Sequence, residues 1–372
     1  MEKRINVTRS SMPDLEEYIE ELKPVWESRW LSNRGAASIK FENMLRSYLG
    51  VEEVYCFANG HVALEVAINS LFFPAGAEVI TTPYTHCSTT HAIVRNGLKP
   101  VFVDVEPQTL TIDPDLVEQA ITSKTVAIVA THVYGFPCQV ERLQEIANAH
   151  HLTVIYDAAH AFGVCVNGVG IGNYGDLSMF STHATKVFHT IEGGIVTYKG
   201  RDRERFDPLD KLVNFGFSSP EDIDYVGTNA RMNEFEAVMG IVNLRHIDEE
   251  INKRKAAAEQ YWKRLEGTQG LVLLRPAPDV KWNYAYFPVL FDGYAMDRNQ
   301  IQQLLSEHQI YARKYFFPIT NEAKCYAETY GDACVPVARS AAQNVLTLPL
   351  YADLSIDDVD RICDIILSAE RG

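Results

Sequence analysis

The sequence predicts an α/β fold built on a mainly parallel sheet, with a smaller α+β domain at its C-terminal end. Three observations carry this. Short apolar runs alternate with helical patterns through the first two thirds of the chain. Several of those runs are nearly continuous rather than alternating, as strands buried on both faces require. After residue 243 the rhythm gives way to one long helical pattern and then to half-exposed segments. The chain therefore reads as two units, residues 1–243 and residues 244–372, the second beginning with the long helix as connection.

Taken in order, a helix over Asp14–Trp30 opens the chain and packs near the junction of the two units. The expected strands are Val54–Phe57, Glu78–Thr81, Val101–Asp104, Thr125–Thr131, Thr153–Asp157, Leu177–Ser181 and Gly194–Tyr198. Amphipathic stretches lie between them, among them His61–Phe72, Asp113–Ala120 and Gln139–His150. Strand, helix, strand at this spacing implies parallel pairing with helices covering both faces. Over Leu244–Leu265, the residues Leu244, Ile247, Ile251, Ala258, Tyr261 and Leu265 recur near helical spacing with charges between them. Tyr284–Phe291 then alternates like a half-exposed strand, and Asp297–His308 and Leu354–Ala369 are helical.

At 372 residues and 47% apolar, the chain can bury a substantial core without staples. Its formal charge of −15 opposes binding to nucleic acid or to an anionic membrane surface, though a local pocket can still take a small anion. No apolar run reaches the roughly 18 residues of a membrane span, and the polar start MEKRINVTRSS has no signal-peptide core. Seven cysteines without paired short spacings point to reduced thiols in a cytoplasm, and away from a disulfide scaffold or a metal site.

In open α/β sheets, ligands sit beyond the carboxyl ends of the strands. Asp157 ends one apolar run and is followed by the small, turn-like Ala158-Ala159-His160-Ala161-Phe162-Gly163. Alone, a strand-ending Asp is more often a cap or turn residue. Lys186 stands just past another run and before Glu192-Gly193-Gly194, in a tract nearly free of other charge. A lone Lys is commonly a surface residue; one desolvated at this place suits Schiff-base chemistry. Phe57-Ala58-Asn59-Gly60-His61 runs from a strand through a turn into a helix, which offers free N–H groups and a positive dipole end to a phosphate. Neither GxGxxG after the first strand nor GxxxxGK[ST] occurs, so neither a dinucleotide fold nor a P-loop is supported. An anion cradle, a carboxylate and a lysine together describe a site for pyridoxal 5'-phosphate (PLP).

The motifs Asp157-Ala158-Ala159-His160, Ser181-Thr182-His183-Ala184-Thr185-Lys186, Glu192-Gly193-Gly194 and Gly227-Thr228-Asn229-Ala230-Arg231-Met232-Asn233-Glu234 occur in this order. On them the chain resembles the DegT/DnrJ/StrS family of sugar aminotransferases, over nearly its whole length from Leu31-Ser32-Asn33-Arg34-Gly35 to Thr347-Leu348-Pro349-Leu350-Tyr351. The resemblance implies the PLP-dependent transferase fold type I and a cofactor that cycles through pyridoxamine 5'-phosphate. It implies that Lys186 holds the cofactor aldehyde as a Schiff base and moves the substrate proton, and that Asp157 pairs with the pyridinium nitrogen. Gly60 and His61 would offer backbone N–H groups to the phosphate, and Ser181 its hydroxyl. Many members carry Thr where this chain has His61, which removes that side-chain contact. His86 stands where the family has an aromatic stacked on the ring, or is an ordinary loop histidine. His160, often Gln elsewhere, would bond near the phenolic oxygen or the substrate amine, or serve the fold alone. Asn229 would reach the phosphate of a neighbouring subunit, which makes a homodimer with composite sites; Arg231 would face an anion or brace its loop. Tyr84, Tyr134, His183, Arg313 and Tyr315 are substrate contacts or packing.

The implied reaction moves the amine of L-glutamate to a nucleotide-linked keto-sugar. The opening Thr8-Arg9-Ser10-Ser11-Met12-Pro13 and the segments around Asp157 and Lys186 look most like the branch acting on dTDP-4-keto-6-deoxyglucose, whose product serves surface polysaccharide. The 3-keto isomer is the alternative. A dehydratase branch with His in place of the lysine is removed by Lys186. A non-catalytic regulator of the same fold is disfavoured by the intact Asp157–Lys186 pair, and amino-acid-specific or sulfur-handling PLP enzymes lack the Ser-x-His-Ala-Thr-Lys context.

Overall fold

The computed structural model describes residues 4–198 and 208–369. Two layers of helix enclose a seven-stranded sheet. Its strands are β1 (Glu53–Phe57), β2 (Glu78–Thr81), β3 (Lys99–Phe102), β4 (Thr125–Thr131), β5 (Thr153–Asp157) and, after a short hairpin of β6 (Cys165–Val166) and β7 (Val169–Gly170), β8 (Leu177–Ser181) and β9 (Gly194–Tyr198). The order is β1-β9-β8-β5-β4-β2-β3, parallel except for β9, which runs against both β1 and β8. The continuous apolar runs follow from this. Along β4, Ile128 and Ala130 enter one core and Ala127 and Val129 the other; in β5, Val154 and Tyr156 are opposed to Ile155 in the same way.

Around the sheet lie α1 (Leu15–Ser28), α2 (Ala36–Leu49), α3 (Gly60–Asn69), α4 (Cys87–Arg95), α5 (Pro114–Ala120) and α6 (Val140–His150). Asp14 and Asp113 cap α1 and α5 rather than joining them, as their side chains accept from amides of the first turn. The strand expected over Val101–Asp104 is shifted to Lys99–Phe102, because Asp104 instead caps the helix Pro336–Asn344, accepting from Val337 N and Ala338 N at 2.8 Å. α3 stops short of Phe72, which has φ of 50°.

The long helix begins at Glu234, not Leu244, with a capping box of Asn233 and Glu236, and runs to Leu265. A break at 243/244 thus falls inside a continuous helix. Its first half crosses α2 so closely that a Cβ at Gly240 would lie 2.5 Å from the Phe41 ring. Its second half packs on the C-terminal helix Ile356–Ser368 and on a three-stranded antiparallel sheet. That sheet is β10 (Leu271–Leu273), β12 (Phe287–Phe291) and β13 (Val345–Leu348), in the order β10-β12-β13, while β11 (Val280–Lys281) pairs with β6. β12 starts three residues later than the alternation suggests, after the left-handed Tyr284. Arg298–Glu307 supplies the other expected helix.

Candidate active site

The carboxyl ends of β1, β4, β5 and β8 open into a cleft of about 450 Å3, lined also by residues of the smaller sheet's side. Gly60, His61, His86, Asp157, His160, Ser181, His183, Lys186, Arg313 and Tyr315 all line it, so sequence reasoning collected these residues in one place.

Asp157 is buried at the end of β5. One carboxylate oxygen accepts from Thr89 Oγ1 at 2.7 Å and the other from Ala159 N at 3.1 Å. Thr89 is itself tied to Thr85 at 2.8 Å, and Thr85 to Thr131 at 2.9 Å. The carboxylate is thereby held in one orientation with acceptor capacity left over. Lys186 follows β8 in a turn closed by Lys186 N donating to His183 O at 2.9 Å. Its ammonium lies 5.9 Å from the centre of the Tyr286 ring, without an ion-pair partner among the described residues. The N-terminal segment fixes this turn from outside, with Ser10 Oγ donating to Ala184 O at 2.6 Å and His189 Nε2 donating to Ser11 O at 2.5 Å.

At the other end of the cleft, Asn59 caps α3 by accepting from Val62 N at 2.9 Å. The amides of Gly60 and His61, the first two of the helix, have no helical acceptor. A Cβ at Gly60 would come within 2.9 Å of Ser181 Cβ, so the start of α3 can approach the end of β8 this closely only because the residue is glycine. The His61 ring is turned to Ser88 Oγ at 2.8 Å and Glu65 at 3.5 Å.

His86 is the cap residue of α4, and its Nδ1 accepts from Ser88 N at 3.2 Å. Partial burial in the cleft lowers its pKa. His160 is buried, its Nδ1 accepting from Tyr134 N at 3.1 Å, which leaves the proton on Nε2. Burial foremost, and then nearby Lys186, hold its pKa well below the usual histidine range, so the ring is neutral. It stands 4.7 Å from the Tyr286 ring. His183 bridges Thr185 at 2.9 Å and Glu192 at 3.5 Å at the rim.

Four predicted residues are not in the cleft of their own chain. Tyr84 and Tyr134 are fully buried beneath it and share a hydroxyl–hydroxyl bond of 2.7 Å, so both are floor rather than contact surface. Asn229 is exposed on a segment bridged to Asn214, and Arg231 is occupied by the Asn214 side chain and the face of Phe215. Sequence reasoning missed Thr89, Tyr286 and Phe316. Thr89 gains its role from tertiary placement beside β5, and no local pattern marks it.

The family model for the DegT/DnrJ/EryC1/StrS aminotransferases matches residues 14–367. The chain belongs to this family. It is a PLP-dependent sugar aminotransferase. A dTDP-4-amino-4,6-dideoxy-D-glucose transaminase of Shigella dysenteriae is 40% identical over 98% of this chain and 99% of its own. One of Escherichia coli under the same name is 38% identical over 98% and 99%. Among solved structures, DesI in the presence of its TDP-sugar product superposes with a TM-score of 0.93 at 32% identity, covering 100% of this chain and 94% of that one.

The residues present fit PLP. The first amides of α3 lie beside Ser181 on the cleft wall, and Asp157, a buried carboxylate held by Thr89 and Ala159 N, and the unpaired amine of Lys186 line the same cleft. An anion site, a ring-nitrogen acceptor and an aldehyde-reactive amine are the donor set this cofactor needs. Among the described residues no group of His, Cys, Asp and Glu could hold a metal, and no helix is long and apolar enough to cross a membrane.

Proposed function

We propose that this aminotransferase moves the amine of L-glutamate to dTDP-4-keto-6-deoxy-D-glucose, giving dTDP-4-amino-4,6-dideoxy-D-glucose for a surface polysaccharide. The observation that carries the substrate is 40% identity across both full lengths to a transaminase named for that product, against 31% to a GDP-perosamine synthase of Escherichia coli O157:H7. The seven free thiols support a reducing, cytoplasmic setting.

PLP, when bound, supplies an aldehyde carbon for the amine and a protonated ring that takes up the electron pair released at the substrate carbon. Lys186 Nζ would be the nucleophile that holds that carbon, and its amine would serve as the base that moves the substrate proton. Asp157 would accept from the ring N–H and keep that proton in place, since a nearby carboxylate raises the pKa of a cationic ring. Gly60 N, His61 N and Ser181 Oγ would hold the phosphate. His86 would cover one face of the ring. His160, neutral with its proton on Nε2, donates toward the phenolic oxygen or the incoming amine. Tyr315 and His183 bound the substrate space.

The same reading includes a homodimer with composite sites. It is supported by the segment around Asn229, where Ile223 is 66% and Val226 96% exposed beside exposed Phe215 and Phe217. Apolar surface of this kind on a projecting loop calls for a cover, and a second copy carrying the same loop provides it by two-fold symmetry. Asn229 and Arg231 then face the partner's cleft.

The deciding measurement is turnover with L-glutamate on a panel of dTDP-, UDP- and GDP-linked 4-keto and 3-keto 6-deoxyhexoses. The dTDP-4-keto sugar should give the highest kcat/KM by at least about tenfold, the worth of one good hydrogen bond in discrimination. A GDP-, UDP- or 3-keto substrate in first place would overturn the substrate assignment.

A further inference from the structure

Serine and threonine hydroxyls line the cleft at Thr85, Ser88, Thr131, Ser181 and Thr185. Thr85 and Thr131 bond each other at 2.9 Å behind Asp157, and Thr185 is taken by His183 at 2.9 Å. Ser181 stands beside Gly60, at the start of α3. Ser88 has no task yet. It lies in the first turn of α4, where its amide donates to His86 Nδ1 at 3.2 Å, and its Oγ is 2.8 Å from His61 Nδ1. Each of the first two residues of α3 thus has a serine next to it, Ser181 against the backbone of Gly60 and Ser88 against the ring of His61. The amide of His61 is one of the two offered to the cofactor phosphate, so Ser88 Oγ stands only one imidazole away from that amide.

The far side of the ring decides what Ser88 can do with its proton. His61 Nε2 stands 3.5 Å from the carboxylate of Glu65, one turn along α3, and Arg95 Nε holds that carboxylate from α4 at 2.9 Å. His91 of α4 meets the ring edge-on at 6.5 Å and is itself bonded to Tyr326. A carboxylate only accepts, so the ring keeps a proton on Nε2. While the ring is neutral, Nδ1 accepts and the Ser88 hydroxyl turns toward it. Once the ring is charged, Nδ1 donates to Ser88 Oγ, and the hydroxyl proton is released from that line toward the cleft. A phosphate on the amides of Gly60 and His61 favours this second state twice, by accepting the freed proton and by its negative charge.

We propose that Ser88 Oγ donates a hydrogen bond to the cofactor phosphate and that the His61 side chain, set between Ser88 and Glu65, turns the hydroxyl to that task. This rests on the placement of the phosphate at Gly60, His61 and Ser181. Ser88 is then a binding residue, and the His61 ring a positioning residue that acts through it. The arrangement brings α4 into the phosphate site beside α3 and β8. It also brings a positive charge, shared with Glu65, within one hydroxyl of the phosphate in a chain of charge −15.

The experiment is a binding titration of the full chain, freed of cofactor, with two probes: PLP, and pyridoxal, which has the same ring and aldehyde but no phosphate. Binding of each is followed by the absorbance of the ring. Ser88→Ala should raise the Kd for PLP by about 10- to 100-fold, the range for a charge-assisted hydrogen bond, and leave that for pyridoxal within about twofold. Ser88→Thr keeps the hydroxyl and should stay within about threefold of wild type for both probes. Ser88→Cys, a weak donor of nearly the same shape, carries the test if the alanine variant does not fold. His61→Ala, which keeps the amide, should also weaken PLP and spare pyridoxal. Added to Ser88→Ala it should cost nothing further, because the ring works only through the hydroxyl. An unchanged Kd for PLP in Ser88→Ala, or an equal loss with pyridoxal, overturns the proposal, and a further loss in the double variant overturns the part given to His61. Ser181→Ala separates this failure from that of the placement beneath it. If Ser181→Ala weakens PLP alone while Ser88→Ala does not, only Ser88 is wrongly assigned. If neither variant discriminates between the probes, the phosphate lies elsewhere and both readings fall.

Discussion

Asp157 shows how one residue type acquires a function from its surroundings. The sequence places an acid at a strand end, where most acids only cap. Burial, together with bonds from Thr89 Oγ1 and Ala159 N, leaves it a fixed acceptor facing Lys186 across the cleft. In the proposed role, Asp157→Asn keeps the shape and removes the charge that would hold the ring nitrogen protonated. We expect kcat to fall by about 100-fold or more, in line with loss of one charged group at a reacting centre, with a thermal midpoint near that of wild type. Steady-state kinetics beside a melting curve check this, and activity within twofold of wild type would remove Asp157 from the role. From the residues alone, Asp157 stood out as an acid ending an apolar run and Lys186 as an amine in a tract nearly free of other charge, whereas Ser181 was marked only by the family resemblance. Thr89 and Tyr286 could not be read, because a threonine or tyrosine is equally at home in a core, and only folding sets these two against the cleft.

At the scale of elements, the seven runs of the large sheet were legible because burial on both faces leaves an unbroken apolar signal. The ends were less so, since caps decide them: Asp104 looks like the last residue of a strand and is a helix cap from a distant part of the chain. The end of β4 carries a second hidden device. His132, next after Thr131, is fully buried, stacked on Tyr156 at 4.5 Å, with Nδ1 accepting from Cys138 N at 3.0 Å. Burial pushes its pKa down to about 3. The unfolded chain takes up this proton below about pH 6.5, while the folded chain refuses it until about pH 3. Stability is therefore full above pH 6.5 and declines on acidification by about 1.4 kcal/mol per pH unit from this residue. In His132→Asn the loss of unfolding free energy between pH 7 and pH 5 should be smaller than in wild type by about 1–2 kcal/mol. Urea unfolding at the two pH values measures it, and equal losses in both proteins would mean that His132 is protonated in the fold.

For the molecule as a whole, a single chain leaves one of the family motifs without work. Asn229 is exposed and outside its own cleft, on a segment whose apolar side chains face outward, and nothing in the periodicity of the sequence says where such a segment goes. The proposed homodimer would give it a place, and that assembly can be tested through the sites it would create. Lys186→Ala destroys the nucleophile of one subunit and leaves its Asn229 intact. Asn229→Ala leaves the lysine and would remove the proposed hydrogen bond to the partner's phosphate, worth up to about 3 kcal/mol with the charge assisting, or up to about 100-fold in PLP affinity. Each homodimer is then inactive at a PLP concentration too low to fill the weakened site. When the two variants are unfolded, mixed in equal amounts and refolded, half the dimers are mixed. In each of these one site has the intact lysine of one chain and the intact asparagine of the other. Activity at limiting PLP should return to about a quarter of the wild-type value, since half the dimers carry one working site of two. If Asn229 served the cleft of its own chain, every site would hold one lesion, and the mixture would be as inactive as its parents.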